Sequence, residues 1–193
     1  MNRVFQNEEK TAFLDSGKFP NLELLEECVK YSSPLLIHKP TVIVFSKVCH
    51  QNRNVGFFSD KSIGYRYSRQ LMKSQPLGEV LTILLETVNK LLKSDFNGIL
   101  INEYTDGNDY IGAHSDDESG LSSFGVVSIS YGSERIFRIR SKHNKKQVYN
   151  EITNNGKIIH MGGNFQKLYT HEIPKQKRIK GTRISFTFRK HIV

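Results

Sequence analysis

The sequence predicts a single α+β domain in which a β-sandwich or barrel-like core is buttressed on one side by helices. Two amphipathic helical patterns occupy the first half, and six short β-like runs follow from about residue 99. At 193 residues the chain suits one domain with a sizeable core. No internal repeat, low-complexity tract or Pro/Gly-rich linker divides it.

The first helix starts at Asn21, an N-cap residue after Pro20, and runs through LELLEECVK with Leu22, Leu25 and Val29 at helical spacing. It is the one element expected in residues 1–40, an N-terminal extension. The second helix runs from Leu77 to Lys93. Val80, Leu81, Leu84, Leu85, Val88, Leu91 and Leu92 give it a wide apolar stripe, the pattern of a supporting core helix. The β-like runs are GILINEY, GVVSISY, RIFRIR, QVYNEI, GKIIHM and TRISFTFR, punctuated by Gly, Asn and Asp. Near-regular short strands of this kind predict a closed or sandwiched β core over residues 99–193. In RIFRIR, Arg135 shares a face with Phe137 and Ile139, and Ile136, Arg138 and Arg140 take the other.

Composition narrows the setting. The chain is 37% apolar and 24% charged, as in ordinary globular proteins. No run of 18 apolar residues is present, so no membrane span is expected, and the polar start from Met1 to Lys10 lacks a secretory h-region. Cys28 and Cys49 read as reduced thiols of an intracellular protein. A monomer is expected, and a nuclear location fits a eukaryotic source. The net charge of +9 and pI of about 9.5 suit a polyanionic partner such as nucleic acid, although a basic surface also serves solubility. Basic residues cluster at Lys142/His143/Lys145/Lys146 and at Lys175/Lys177/Arg178/Lys180.

The segment YIGAHSDDES holds an H-x-D pair, His114 and Asp116. On an extended chain residues two apart point to the same side, so both reach one ion. An H-x-D pair by itself is weak evidence. Here a distal histidine, His171, precedes a strand with two arginines, and two imidazoles with one carboxylate form the facial triad of non-haem iron(II) oxygenases. Among the other histidines, His160 reads as a packed strand residue, His143 and His50 lie in polar stretches, and His38 and His191 lack carboxylate company. The last strand puts Arg183, Ser185, Thr187 and Arg189 on one face. Two guanidinium forks can each bind a carboxylate in a bidentate way, as a dicarboxylate needs. Taken alone, the strand reads as a basic strand facing solvent.

Together these residues resemble the AlkB family of iron(II)- and 2-oxoglutarate-dependent dioxygenases. The likeness rests on NEYTDGNDYIGAHSDDE from Asn102 to Glu118, on Gly162 and Gly163 leading to HEIP at His171, and on Arg183, Thr187 and Arg189. Upstream, VFSK from Val44 to Lys47, Arg53, and YRYS from Tyr65 to Ser68 are similar to the members that repair duplex DNA. The resemblance covers most of residues 44–189. It implies a double-stranded β-helix (jelly-roll) core, with residues 41–75 as a nucleotide-recognition lid. It implies iron(II) on His114, Asp116 and His171, with 2-oxoglutarate and O2 as cosubstrates. Arg183 and Tyr104 would hold the distal carboxylate, Arg189 and Asn102 the end near the metal, with Ser185 and Thr187 beside them. Arg53, Tyr65 and Tyr67 would serve the base pocket, Asp117 and Glu118 the exocyclic amine, Phe45 the gap left in the duplex, and Lys142, Lys145 and Lys146 the phosphates.

Two positions depart from the family pattern: Ser185 stands where Asn is usual, and Tyr67 where the most similar members carry Phe. The implied activity is oxidative demethylation of 1-methyladenine and 3-methylcytosine in DNA, releasing succinate, CO2 and formaldehyde. An RNA demethylase or protein hydroxylase of the same chemistry, or a nucleic-acid-binding module without turnover, are the alternatives.

Overall fold

The computed structural model describes residues 1–44, 47–67, 70–116 and 124–191. In chain order its elements are strands β1 (Asn2–Gln6) and β2 (Ala12–Lys18), helix α1 (Leu22–Ser32), strands β3 (Thr41–Val44), β4 (Lys47–His50), β5 (Asn54–Phe58), β6 (Gly64–Tyr67) and β7 (Gln70–Lys73), and helix α2 (Gly78–Leu92). There follow β8 (Gly98–Tyr104), β9 (Ile111–His114), β10 (Val126–Gly132), β11 (Arg135–Ser141), β12 (Val148–Thr153) and β13 (Lys157–Gly163), the short helix α3 (Phe165–Leu168), then β14 (Tyr169–Ile173) and β15 (Arg183–Arg189).

Two antiparallel sheets face each other. The major sheet has seven strands in the order β1-β2-β13-β10-β15-β8-β5, and the minor sheet four in the order β12-β11-β14-β9. From β8 onward the chain passes back and forth between them: β8, β10, β13 and β15 lie in the major sheet and β9, β11, β12 and β14 in the minor. That alternation is the double-stranded β-helix, or jelly roll. Strands β3 and β4, and β6 and β7, form separate two-stranded hairpins. Within residues 41–75, β5 is itself the edge strand of the major sheet, paired with β8.

Each face of the major sheet is covered by a different layer. Ile184, Phe186 and Phe188 of β15 pack with Leu24, Leu25, Leu81, Leu84 and Val88 of the two helices. The alternate residues Arg183, Ser185, Thr187 and Arg189 point between the sheets. All seven residues of β15 are buried, so the solvent-facing basic strand expected from its sequence alone is corrected. A strand sandwiched between helices and a second sheet has no wet face.

Helix α2 follows its apolar stripe, with Leu81, Leu84, Leu85 and Val88 buried. Each such side chain contributes roughly 1.5–3 kcal/mol. Leu91 is 48% exposed, while Leu92 beside it packs against the core. The helix closes on Lys93 in the left-handed conformation, and its start is held by Leu77 N–H donating to Asp60 Oδ1 at 3.1 Å. Asn21 caps α1, accepting from Leu24 N–H at 3.0 Å.

The N-terminal segment holds more than its helix: β1 and β2 extend the major sheet beyond β13. In β2 the residues alternate buried Ala12, Leu14 and Ser16 with partly exposed Phe13, Asp15 and Gly17, a period-2 pattern blurred in the sequence because the buried face carries Ser16 and the outer face Phe13. Asp15 pairs with Arg3 across the two strands. Cys28 and Cys49 are free, as expected, and burial pushes the Cys28 thiol up to about 12. Among the described residues no helix is long and apolar enough to cross a membrane.

Candidate metal centre and cosubstrate pocket

Strand pairing brings the two histidines together. β14 and β9 are neighbours in the minor sheet, and His171 lies directly opposite His114, their ring centroids 4.3 Å apart. Asp116 follows two residues later. Ligand atoms of His114, Asp116 and His171 all lie within 4.8 Å of one another, and no other cluster of this kind occurs among the described residues. Asp116 Oδ2 sits 3.6 Å from His171 Nε2, and Oδ1 sits 3.3 Å from an Arg189 Nη2.

The neighbours orient each group. Gly112 O lies 2.9 Å from His114 Nδ1. A carbonyl only accepts, so Nδ1 carries the proton and Nε2 presents its lone pair. His171 is stacked on Phe137, centroids 5.2 Å apart at 19°. Asp116 N–H donates to Gln166 Oε1 at 2.9 Å, and Ser115 Oγ donates to Tyr169 O at 3.0 Å. The short α3 thus secures the segment that carries the carboxylate.

The electrostatics match a divalent cation. Burial alone would raise the Asp116 carboxyl, but Arg189, His171 and His114 overcome it and hold the group at about 2. Burial, aided by His114 and opposed by Asp116, pushes His171 down to about 3, and burial also lowers His114. The result is one ionised carboxylate and two neutral imidazoles, the protonation states that ligate a metal.

A pocket continues from the triad between the sheets, and Asn102, Tyr104, Arg183, Ser185, Thr187 and Arg189 all line it. Cross-strand pairing explains the gathering: Arg183 lies opposite Tyr104 and Ser185 opposite Asn102 on β8, while Ser185 lies opposite Ser130 and Thr187 opposite Ser128 on β10. Arg189 lies over the Tyr65 ring at 4.7 Å, and Arg183 over the Tyr104 ring at 5.3 Å. Arg183 is fully enclosed. Its Nη2 donates to Ser130 Oγ at 2.9 Å, while Nε and Nη1 have no protein acceptor. A buried guanidinium in that state calls for an anionic guest. The pocket therefore fits both groups: a facial triad for iron, and uncommitted donors for a carboxylate beyond it.

The remaining expected site residues divide. Arg53 and Tyr65 line the same pocket, and Arg53 Nε donates to Asn102 Oδ1 at 2.7 Å. Lys142 is exposed, with Nζ donating to Gln166 O at 2.8 Å, and Lys145 and Lys146 are exposed in the turn between β11 and β12. Phe45, Asp117 and Glu118, and the side chain of Tyr67, lie outside the described residues. His160 is packed as expected, with Nε2 2.7 Å from Phe124 O and its ring stacked on Phe124. Sequence reasoning missed Ser128 and Ser130, although the S-x-S alternation of GVVSISY marks both for one face. It also missed Phe137 and Gln166 beside the triad.

Fold and site together define a non-haem iron oxygenase that takes a 2-oxo dicarboxylate. Residues 18–189 match the model of the 2OG-Fe(II) oxygenase superfamily. DNA oxidative demethylase ALKBH2 of Mus musculus is 30% identical over 174 residues, covering 86% of this chain and 72% of the relative. The same-named protein of Bos taurus is 29% identical over 174 residues, again 86% of this chain but 62% of the relative, so the chain spans about three fifths of that protein's length. The solved structure of OsALKBH1 superposes with a TM-score of 0.58 at 14% identity, covering 98% of this chain and 100% of that one, a likeness of fold. The chain belongs to the 2OG-Fe(II) oxygenase superfamily and, within it, to the AlkB family of dioxygenases. Its cofactors are accordingly Fe(II), 2-oxoglutarate and O2.

Proposed function

We propose that this enzyme oxidatively demethylates N-alkylated bases, 1-methyladenine and 3-methylcytosine foremost, in DNA. The observation that carries the reading is Tyr65 at the wall of the metal pocket, its ring under Arg189. An aromatic face beside the oxidising centre suits a planar base rotated out of its stack. Relatives named DNA oxidative demethylase support the choice, as does the net charge of +9.

Iron(II) with 2-oxoglutarate and O2 supplies the insertion of one oxygen atom into a C–H bond of the N-methyl group, with succinate and CO2 as by-products. The cationic N-hydroxymethyl base then sheds formaldehyde and a proton, leaving the ring nitrogen with its lone pair. The protein's part is positioning and charge. His114, Asp116 and His171 would hold the metal through two neutral imidazoles and one carboxylate. Arg183, backed by Tyr104 and Ser130, grips the distal carboxylate. Arg189 and Asn102 fix the end near the metal, and Arg53 holds the Asn102 side-chain carbonyl. Ser185 offers a hydroxyl where the family pattern has an amide. Tyr65 and Tyr67 stack on the base, Asp117 and Glu118 favour its cationic alkylated form, and Phe45 fills the vacated place in the duplex. Lys142, Lys145 and Lys146 hold phosphates.

The test is a substrate panel: 1-methyladenine and 3-methylcytosine, each in single-stranded DNA, duplex DNA and RNA, with iron-loaded protein and formaldehyde as the readout. Repair of duplex DNA, lost on duplex but kept on single strands in Phe45→Ala, is expected. Methylated oligonucleotides left unchanged in every form would sink the reading.

A further inference from the structure

Arg135 opens β11 and is 1% exposed, yet no carboxylate hydrogen-bonds it; its acceptors are carbonyl oxygens. Nη1 donates to Asp106 O at 3.0 Å, Nη2 to Asp109 O and Pro174 O at 2.8 Å each, and Nε to Gln176 Oε1 at 3.3 Å. The same Gln176 oxygen accepts from Ile136 N–H at 2.8 Å.

The acceptors belong to two loops. Asp106 and Asp109 lie in the loop that enters β9, and Pro174 and Gln176 in the loop that leaves β14. These are the strands that carry His114 and His171. The loops are also tied to each other: Gln176 N–H donates to Gly107 O at 2.8 Å, and Gly107 N–H donates to Ile179 O at 2.9 Å. They approach so closely that a Cβ on Gly107 would stand 1.9 Å from Gln176 O.

The ladder between β9 and β14 does not fix their register firmly. It holds the pairs His171↔His114 and Ile173↔Ile111, with an irregularity between them. A one-residue slip turns a side chain to the opposite face, which here would take a ligand off the metal. Something other than the ladder has to hold the two strands in step, and the group placed to do so is the guanidinium that bonds the roots of both.

We propose that Arg135 is a positioning residue of the metal centre, clamping the loops at the base of β9 and β14 so that His114 and His171 keep their separation. It touches neither metal nor substrate. The proposal concerns metal binding and stands whichever substrate the pocket takes.

The test is Mn(II) binding, followed by electron paramagnetic resonance of free Mn(II) at a temperature well below unfolding. It compares wild type, Arg135→Lys, Gln176→Ala and Leu84→Ala. Leu84→Ala removes a core contact in the helical layer, far from the clamp, and serves as the destabilised reference. Groups that support metal ligands from behind typically change affinity 10–100-fold, and one acting through loops belongs at the low end. Arg135→Lys is expected to weaken Mn(II) about tenfold, because one ammonium cannot reach four acceptors. Gln176→Ala should weaken it less, in the same direction. Leu84→Ala should stay within about twofold of wild type while melting lower. If Arg135→Lys does not fold, Gln176→Ala against Leu84→Ala decides. Clamp variants that bind Mn(II) like wild type, or a reference that loses as much affinity as they do, overturn the proposal.

Discussion

Replacing Arg183 by methionine is predicted to stabilise the protein without its cosubstrate and to abolish its response to it. Arg183 is 2% exposed and donates from Nη2 to Ser130, with Nε and Nη1 unaccepted. Burial lowers the guanidinium pKa, Tyr104 opposes, Arg135 adds to the fall, and the net position is about 10 against an ordinary 12.5. At roughly 1.4 kcal/mol per tenfold, that displacement costs about 3 kcal/mol. Methionine has nearly the same reach and no charge to desolvate. Losing the bond to Ser130 returns about 1 kcal/mol. The net gain is about 2 kcal/mol, or about 4–8 °C in Tm for a domain of this size. In the wild type, 2-oxoglutarate at a hundred times its Kd adds about 2.7 kcal/mol, and a variant that cannot bind it gains nothing. The assay is thermal unfolding of both proteins loaded with Mn(II), which prevents turnover, with and without 2-oxoglutarate. The variant should melt higher in buffer and be indifferent to the cosubstrate. A variant that melts below wild type in buffer, or that is still stabilised by 2-oxoglutarate, refutes the role given to Arg183.

Three further outcomes follow from the packing and the charges. Asp116→Ala should lower the stability of the metal-free protein by about 3–5 kcal/mol, measured by urea unfolding, because it strips the carboxylate from a buried Arg189; an unchanged midpoint would deny that pairing. Leu84→Ala, at a fully buried site between helix and sheet, should cost about 2–5 kcal/mol with the urea m-value unchanged. His160 has its pKa lowered by burial, against the Phe124 carbonyl and Asp15. The unfolded chain therefore takes up the proton first, and the contribution of the neutral ring, complete above about pH 6.5, is lost as pH falls below it. His160→Gln should flatten the fall in stability between about pH 6.5 and 5, and an unaltered slope would show that His160 does not contribute.

The triad was legible because its chemistry is written locally and its geometry is simple. An H-x-D pair announces two ligands, and His171, which completes the triad, precedes the two-arginine strand. The helices were legible for the same reason, with Asn21 capping and the Leu81-to-Val88 stripe facing the sheet. What failed to show was whatever depends on layers stacked from distant parts of the chain. β15 read as solvent-facing because nothing in TRISFTFR says that helices cover one face and a second sheet the other. Leu91 fitted the stripe but is exposed, while its neighbour Leu92 packs against the core. β1 and β2 join the major sheet because β13, over a hundred residues later, offers an edge. Arg135 was placed on the correct face with Phe137 and Ile139, yet its partners are main-chain carbonyls, which carry no residue-type signal at all.

What satisfies the buried guanidiniums of Arg135, Arg183 and Arg189 separates their roles. Arg135, Arg183 and Arg189 are all under 3% exposed. Burying a charge without compensation costs several kcal/mol, so each must be answered by something. Arg135 is answered by carbonyls and a side-chain amide oxygen, which suits it to holding loops. Arg189 is answered by Asp116, and its charge in turn keeps that carboxylate ionised for the metal. Arg183 has a serine hydroxyl and a tyrosine beside it, with two nitrogens still unaccepted. An anion that binds there removes a penalty already present in the folded protein, so its affinity draws on strain relief as well as on new hydrogen bonds. A monoanion of similar length, reaching the metal but lacking the far carboxylate, would leave that penalty in place. 2-Oxobutyrate should therefore bind the Mn(II) form at least tenfold more weakly than 2-oxoglutarate, as one lost charge-assisted pair of about 1.5–3 kcal/mol requires, and in Arg183→Met, where the far carboxylate would be buried without a partner, the preference should reverse. Equal affinity in the wild type would mean that the far end of the pocket does not read a carboxylate.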